Sequence, residues 1–275
     1  MKFLYICVKI TYKYEVLIAA LRGRVWFMRR FFTEPENIND DVACIFEDSK
    51  HIEKVLRMKC GDEILVFDGT GYEYTARLIS IDKNQCRAEI LNKQVSLSEP
   101  NVKVTLFQGL PKSGKMELIV QKAVELGVCR IVPVIMDRCV TKIANHEAGV
   151  EKAKRWNKVS VEAAKQCGRG LVPEVLAPVA FKDAVSMMAK LQLPLMPYEV
   201  LGHEGRCDLK MVLGEKRDAE TFGILVGPEG GFSEEEAAYA QDNGICAVGL
   251  GRRILRTETV ASALIPVIMY DRGEF

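Results

Sequence analysis

Between about residues 40 and 97 the apolar positions come in short runs separated by turn chemistry. Val42–Phe46 is apolar, and His51–Arg57 has room for one or two helical turns. Glu63–Phe67 reads as a strand and Asp68-Gly-Thr-Gly71 as a tight turn. Tyr72–Ile81 alternates like a half-buried strand, and Asp82-Lys-Asn-Gln85 then turns the chain into Cys86–Leu91. Short strands so closely spaced predict a small barrel-like β domain.

After Ser96–Pro100 the rhythm changes. Val102–Phe107 is a β-branched run, and Met116–Leu126 puts Met116, Ile119, Val120, Ala123 and Val124 on one helical face before Gly127 stops it. The pattern then predicts a strand over Arg130–Met136, a helix over Glu147–Gln166 and a strand over Phe222–Val226. Ser233-Glu-Glu-Glu236 is a capping box opening a helix to Asn243. A short strand over Ala247–Leu250 and a final helix over Thr257–Tyr270 follow. Strands alternating with helices predict a mostly parallel α/β sheet, with a boundary near residue 97.

With 275 residues, 48% of them hydrophobic, the chain can bury one large core or two smaller ones. The net charge of +1 gives no general attraction to nucleic acid. Residues 1–27 hold Lys2, Lys9, Lys13, Arg22 and Arg24 against Glu15, so the remainder is acidic. RNA would therefore have to be held by local basic clusters. The nine cysteines form no C-x-x-C pair and the three histidines are scattered, which suits a reducing cytosol and predicts no metal site. Lys9 and Lys13 interrupt the apolar N-terminal run, and no stretch approaches a membrane span, so a soluble cytoplasmic protein is expected.

Gly109-Leu-Pro-Lys-Ser-Gly114-Lys115 fits seven positions of a phosphate-binding P-loop. Its eighth position is Met116, which lacks the hydroxyl that would bind magnesium, and Pro111 removes an amide donor. Ile131–Asp137, an apolar run ending in an acid, imitates a magnesium-binding strand end. A P-loop NTPase is thus an alternative with a defect at the metal.

Two glycine-rich segments carry more chemistry. Ile224-Leu-Val-Gly-Pro-Glu-Gly-Gly-Phe-Ser233 leaves a buried strand, and Gly227, Gly230 and Gly231 permit the close backbone approach that a flat ring needs. Val248-Gly-Leu-Gly-Arg-Arg-Ile-Leu-Arg-Thr-Glu-Thr259 also leaves a short strand, then crosses an Arg-rich loop into a helix. Two such loops at strand ends can wall one ligand crevice.

With these motifs the chain resembles the bacterial 16S ribosomal RNA uridine-N3 methyltransferase family, in the SPOUT class of trefoil-knot enzymes. The likeness runs over residues 28–275. It includes Met28-Arg-Arg-Phe-Phe32, His51–Arg57, Asp68–Gly71, Gln121–Gly127, Glu162–Arg169, Val226–Ser233 and Leu250–Thr259. It implies a PUA-like, RNA-binding β-barrel domain over 28–97 and a SPOUT α/β knot methyltransferase domain over 98–275. Residues 1–27 have no counterpart and are read as an over-extended start or an appendage. The resemblance further implies a homodimer with the knot region at the interface, S-adenosylmethionine as cofactor, and an assembled small ribosomal subunit as partner. A catalytically idle RNA-binding or ribosome-assembly factor on the same fold is the alternative.

For the cofactor, the resemblance points to Val226, Gly227, Pro228, Glu229, Gly230 and Gly231 in one loop. A second loop supplies Leu250, Gly251, Ile254, Leu255, Arg256, Thr257 and Thr259, and a third Tyr198 and Glu199. Arg256 is the candidate to stabilise a uracil anion. Glu258 is the candidate proton acceptor, unless it only complements the helix dipole or pairs with Arg253. For RNA the candidates are Arg29, Arg30, Phe31 and Phe32, where cations adjoin rings, with Arg57, Lys112, Lys115, Lys165 and Arg169 for phosphates. Lys152, Lys154, Arg155 and Lys158 read as a solvated helix face. Two departures from the family pattern stand out: Cys139 where Ser is expected and Lys165 where Glu is expected.

Overall fold

The computed structural model describes residues 28–39, 41–112, 114–203 and 209–274. The N-terminal extension, Ser113 and Cys207 lie outside them. The chain divides into two compact units, the first of residues 28–68 and 72–95 and the second of Gly69–Gly71 and everything from Ser96 onward.

The first unit is a six-stranded sheet. Its strands are β1 (Arg30–Phe32), β2 (Ile38–Asn39), β3 (Val42–Ile45), β4 (Glu63–Phe67), β5 (Tyr72–Ile81) and β6 (Cys86–Val95), in the order β1-β4-β5-β6-β3-β2. Only the β1–β4 pair is parallel. Just past β1, Thr33 Oγ1 donates to Cys44 O in β3, curling the sheet back on itself. Ala43, Ile45, Ile64, Val66, Ala76 and Leu78 alternate into one core, with Ile52 of a π-helical turn (His51–Val55) packed beneath. Two residues beyond that turn, Arg57 takes a left-handed φ of 51°.

Two expectations for this unit need correcting. β6 runs to Val95 instead of stopping at Leu91, because Tyr72↔Val95 and its neighbours keep the ladder paired. Its last residues are solvent-exposed on both faces, so no hydrophobic alternation marks them. The expected RNA-stacking cluster is mostly interior: Phe31 is 2% exposed and belongs to the core. Arg30 Nη1 donates to Glu73 Oε1 at 2.7 Å, with its guanidinium 4.5 Å from the Phe67 ring centre. Phe32 packs on Phe67 at 5.4 Å. Of the four, Arg29 alone keeps an exposed side chain.

The second unit is built on an all-parallel sheet. β7 (Lys103–Gly109), β8 (Arg130–Ile135), β10 (Val179–Ala180), β11 (Leu193–Pro197), β12 (Thr221–Val226) and β13 (Cys246–Val248) lie in the order β10-β8-β7-β12-β11-β13. The two-residue β9 (Glu174–Val175) also pairs with β8. Helices α1 (Lys115–Glu125), α2 (His146–Cys167), α3 (Phe181–Met188), α4 (Glu199–His203), α5 (Leu209–Glu215), α6 (Glu234–Asp242) and α7 (Thr257–Asp271) connect or cover the strands. No helix among the described residues is long and apolar enough to cross a membrane.

β7 and β12 sit at the centre and are buried along nearly their whole length, so they show runs of apolar residues without alternation. α1 buries Met116, Ile119, Val120, Ala123 and Val124, the face its spacing predicts. Each of the larger side chains contributes roughly 1.5–3 kcal/mol by leaving water. α2 begins at Asn145, whose side chain accepts from Ala148 N at 2.8 Å, and ends at Gly168 with φ +82°.

Immediately after that stop Arg169 turns inward, 3% exposed. Its guanidinium pairs with Glu99 at 2.7 Å and donates to the carbonyls of Val124 at 3.0 Å and Val128 at 2.7 Å. This corrects its expected role as a phosphate contact, since those donors close the C-terminal end of α1. Lys165 is half-buried beside Glu162. Cys139 is buried where Ser is expected, its sulfur accepting from Met136 N and facing Val134 O. Burial, at 4% exposure, packs it into the core and pushes its thiol pKa up.

Candidate functional site

β12 and β13 belong to one parallel sheet, and at their C-terminal ends the glycine-rich segments face each other. The chain leaves the sheet edge at β13 and returns to the centre. There Thr257, the first residue of α7, donates its hydroxyl to Gly227 O at 2.7 Å. Gln108, at the end of β7, donates to the same hydroxyl at 2.9 Å. These buried bonds pull segments 226–231 and 250–257 onto one cavity of about 300 Å³.

The cavity wall contains Val226, Gly227, Pro228, Glu229 and Gly231 from the first segment and Leu250, Gly251, Ile254, Leu255, Arg256 and Thr257 from the second. Tyr198 and Glu199 close a third side; Tyr198 N donates to Val248 O at 2.9 Å, which fixes the end of β11 against β13. Three expected members lie outside the wall: Gly230, Thr259 and the candidate proton acceptor Glu258, which reaches the wall through its contact with Lys115. Gly230 faces Arg138, which donates to Gly230 O at 3.0 Å, and Thr259 is exposed on α7. The glycines are required by close approach. Gly231 has φ +67°, and a Cβ there would lie 3.0 Å from Glu199 Oε1. A Cβ on Gly227 would come within 3.2 Å of the Gly231 backbone.

Sequence reasoning missed several wall residues: Pro197, Phe232, Arg252, Arg253, Val260 and, as a member of this site, Lys115. Phe232 was legible in principle, as an aromatic directly after a glycine turn; its ring meets Tyr198 edge-on at 6.3 Å. Gln108 carried no signal, being one polar residue closing an apolar strand.

The electrostatics centre on Lys115. Its ammonium lies 3.1 Å from Glu229 Oε1 and 3.0 Å from Glu258 Oε2, joining the first loop to α7. Glu258 therefore pairs with Lys115, correcting the expected partner Arg253. Lys115 was also expected on an open phosphate-binding surface, whereas it stands in the cavity wall. The hydrogen bonds that Lys115 donates to Glu258 and then Glu229 hold the ammonium pKa above its ordinary value. For Glu258 its own backbone N–H is the largest influence, and with Lys115 and Arg256 it holds the carboxyl below the ordinary range despite some desolvation. Burial pushes Glu229 up, but hydrogen bonds from its own N–H, Lys115 and Lys112 N together outweigh it.

These contacts also dispose of the P-loop likeness. Lys112 N donates to both Glu229 oxygens, at 3.1 and 3.2 Å, so the amide and ammonium that would cradle a phosphate already hold a carboxylate. Gly109 abuts Pro228, so that backbone edge faces protein. Asp137, the imitation of a magnesium ligand, accepts from Ser233 Oγ at 2.9 Å, while its backbone N–H donates to Glu236. It anchors the capping box that opens α6.

Residues 98–269 match an RNA methyltransferase domain and residues 47–91 an RNA methyltransferase PUA domain. A ribosomal RNA small subunit methyltransferase E from Bacillus subtilis is 31% identical over 249 residues, 89% of this chain and 97% of that protein. The crystal structure of a ribosomal RNA small subunit methyltransferase E from Neisseria gonorrhoeae bound to S-adenosyl methionine is 32% identical. It superposes with a TM-score of 0.77 over 88% of this chain and 97% of that one. A methyltransferase from Legionella pneumophila with bound cofactor matches at 31% identity and a TM-score of 0.75, covering 88% and 97% of the two chains. The PUA-like sheet, the parallel α/β unit and the convergent loops are the SPOUT architecture, and the chain belongs to the RNA methyltransferase family of the ribosomal RNA small subunit methyltransferase E type.

Proposed function

We propose that this chain transfers a methyl group from S-adenosylmethionine to N3 of a uridine in the 16S RNA of an assembled small ribosomal subunit. The observation that carries the reading is the convergence of the two glycine-rich loops on one cavity, tied through Thr257 and Gly227. The wall fits the cofactor. Gly227 and Gly231 let the loop close on itself and on Glu199, where a Cβ would crowd, and the volume of about 300 Å³ suits a ligand of nucleoside size.

In this reading Val226–Glu229, Gly231, Leu250, Gly251 and Ile254–Thr257 hold the adenine side by backbone contacts, and Tyr198 and Glu199 close the remaining wall. Bound S-adenosylmethionine supplies the methyl on a sulfonium, and the electron pair of the broken C–S bond stays with sulfur. The uridine imide must lose its N3 proton before its nitrogen lone pair can form the new bond. Glu258, ionised across the neutral range, takes that proton and passes it to water. Arg256, in the cavity wall at the N-cap of α7, faces the negative charge developing on one uracil oxygen. Exposed Arg29, Arg57 and Lys112 are the cations left for RNA phosphates. The exposed apolar side chains Ile254, Val267 and Tyr270 support pairing of two copies, and light scattering showing only monomer at micromolar concentration would remove that element. Work on ribosomal subunits implies the cytoplasm.

The test combines calorimetry with S-adenosylmethionine and methylation of small subunits from a strain lacking the gene, followed by mass spectrometry of the RNA. A saturable heat and a new 3-methyluridine are expected. An idle assembly factor would give neither, and methyl on another atom would refute the N3 assignment.

A further inference from the structure

Segment 109–115 resembles a phosphate loop, but Lys112 N already donates to the Glu229 carboxylate, and its last residue lies in the cavity wall. Lys115 follows Gly114, whose φ of +88° turns the chain into α1. Glu229 comes to it from the loop after β12 and Glu258 from the first turn of α7. An ammonium has three N–H donors, and these carboxylates occupy two. The third is left to the cavity that Lys115 lines. Arg256, the N-cap of the same helix, also lines the cavity.

Removal of the N3 proton from uracil spreads negative charge over O2, N3 and O4, and one guanidinium at one oxygen leaves the other uncompensated. A carboxylate as weakly basic as Glu258 cannot draw off that proton unless the imidate is strongly stabilised. Each unit of mismatch is about a factor of ten in the ionised fraction. From this geometry we infer that Lys115 is a second charge-stabilising catalytic residue, its ammonium donating to one uracil carbonyl oxygen while Arg256 meets the other. The inference deepens the methyl-transfer reading and rests on it. The N3–H bond breaks towards Glu258, the N3 lone pair forms the bond to the methyl carbon, and the sulfur keeps the C–S pair. Lys115 remains protonated throughout. The charged groups around it are Glu229, Glu258 and Arg256, with Lys112 in its own loop and Glu199, Arg252 and Arg253 elsewhere in the wall.

The test uses the full chain, small subunits from a strain lacking the gene, and single-turnover rates from acid to alkaline pH. Lys115→Gln should lose roughly 100-fold at neutral pH, the typical effect of one such donor. That loss should shrink as pH rises and the imide ionises unaided. Subunits made with 5-fluorouracil, whose imide is more acidic, should restore Lys115→Gln about tenfold or more while helping the unaltered chain little. Lys115→Arg, which keeps the cation, should stay within about tenfold of the unaltered chain at every pH. Rates are compared at S-adenosylmethionine concentrations that calorimetry shows to saturate each variant. A loss equal at every pH and on both kinds of subunit, or an Arg variant as impaired as Gln, overturns the inference and leaves Lys115 as a tie between loops. Should Lys115→Gln fail to fold, the Arg variant decides by the same criterion. Absence of methyl transfer by the unaltered chain would overturn the methyl-transfer reading itself, and this inference with it.

Discussion

Thr257 Oγ1 donates to Gly227 O at 2.7 Å, joining the first residue of α7 to the turn after the central strand β12. The same oxygen accepts from Gln108 Nε2 at 2.9 Å, so one hydroxyl holds three segments together. Thr257 is buried, and a methyl in place of its hydroxyl leaves the Gly227 carbonyl without that donor and Gln108 without that acceptor. Thr257→Val should cost about 1–3 kcal/mol. It should also weaken S-adenosylmethionine binding, because the loops lose their register. Thr257→Ser keeps the oxygen and should lose far less. Urea unfolding and calorimetry measure both, and equal stability of Val and Ser variants would remove the hydroxyl from this account.

Gly109 tests the close approach from the other side. A Cβ at this position would sit 2.8 Å from both Cδ and N of Pro228 and 2.9 Å from Met136 Sδ. The sulfur can swing away, but the proline ring and backbone cannot. Gly109→Ala should therefore push the first loop outward, costing about 1–3 kcal/mol as overpacking does. Loss of cofactor affinity should accompany the lowered melting temperature. A variant as stable as the unaltered chain would mean that Pro228 yields more easily than its packing implies.

The sequence showed α1, α2, β12, the Ser233 capping box and α7, because each has periodicity or a cap that acts locally. The two glycine loops were legible as ligand-binding turns, and their relation to known enzymes made the cavity expected. The short strands β9, β10 and β13 carry too few residues for any period, and β13 ends at Val248 instead of reaching Leu250. What could not be read was pairing across distance. Glu258 selects Lys115 over the nearer-in-sequence Arg253, a choice made by how α1 packs on α7. Arg169 looks like any surface cation in the sequence, yet the carbonyls at the end of α1 draw it inside.

Arg169 supplies a prediction that separates structure from RNA contact. Its guanidinium neutralises Glu99, which also accepts from Gly170 N and Leu171 N at 2.9 and 3.0 Å. Arg169→Ala removes the charge opposite a partly buried carboxylate and exposes carbonyls at the end of α1. A loss of about 3–5 kcal/mol is expected, as for other broken buried pairs. Under conditions where the variant stays folded, RNA affinity should be unchanged and its salt dependence should keep the same slope. A shallower slope would restore Arg169 to the RNA surface.

The Lys115 cluster gives pH dependence at both ends. The carboxyls of Glu229 and Glu258 are lowered in the folded chain, so their contribution is present above the ordinary carboxylate value of 4.5. It is lost as pH falls through the folded values. The Lys115 ammonium is raised, so its contribution is complete below 10.5 and is lost as pH rises through the folded value. Glu229→Gln should flatten the acid limb of a stability profile and part of the alkaline limb. Unfolding midpoints across pH measure this, and an unchanged acid limb in the variant would show that other carboxylates govern it.

In the first unit the buried pair Tyr74 and Asp68 makes the corresponding argument for a phenol. Tyr74 OH donates to Asp68 Oδ2 at 2.8 Å, and both side chains are buried. Burial first, and then the neighbouring carboxylate, push the phenol up from 10.0 to about 12. Since the folded state holds the proton more tightly, the contribution is complete below pH 10 and fades as pH rises towards 12. Tyr74→Phe keeps the ring but removes the donor, and should cost about 1–3 kcal/mol at neutral pH. Because the sheet and its core remain, circular dichroism should be unchanged while the unfolding midpoint falls. Ultraviolet titration of the unaltered chain should show one tyrosine ionising well above the others, absent from the variant. If every tyrosine ionised together near its ordinary value, the phenol would not be the buried donor described.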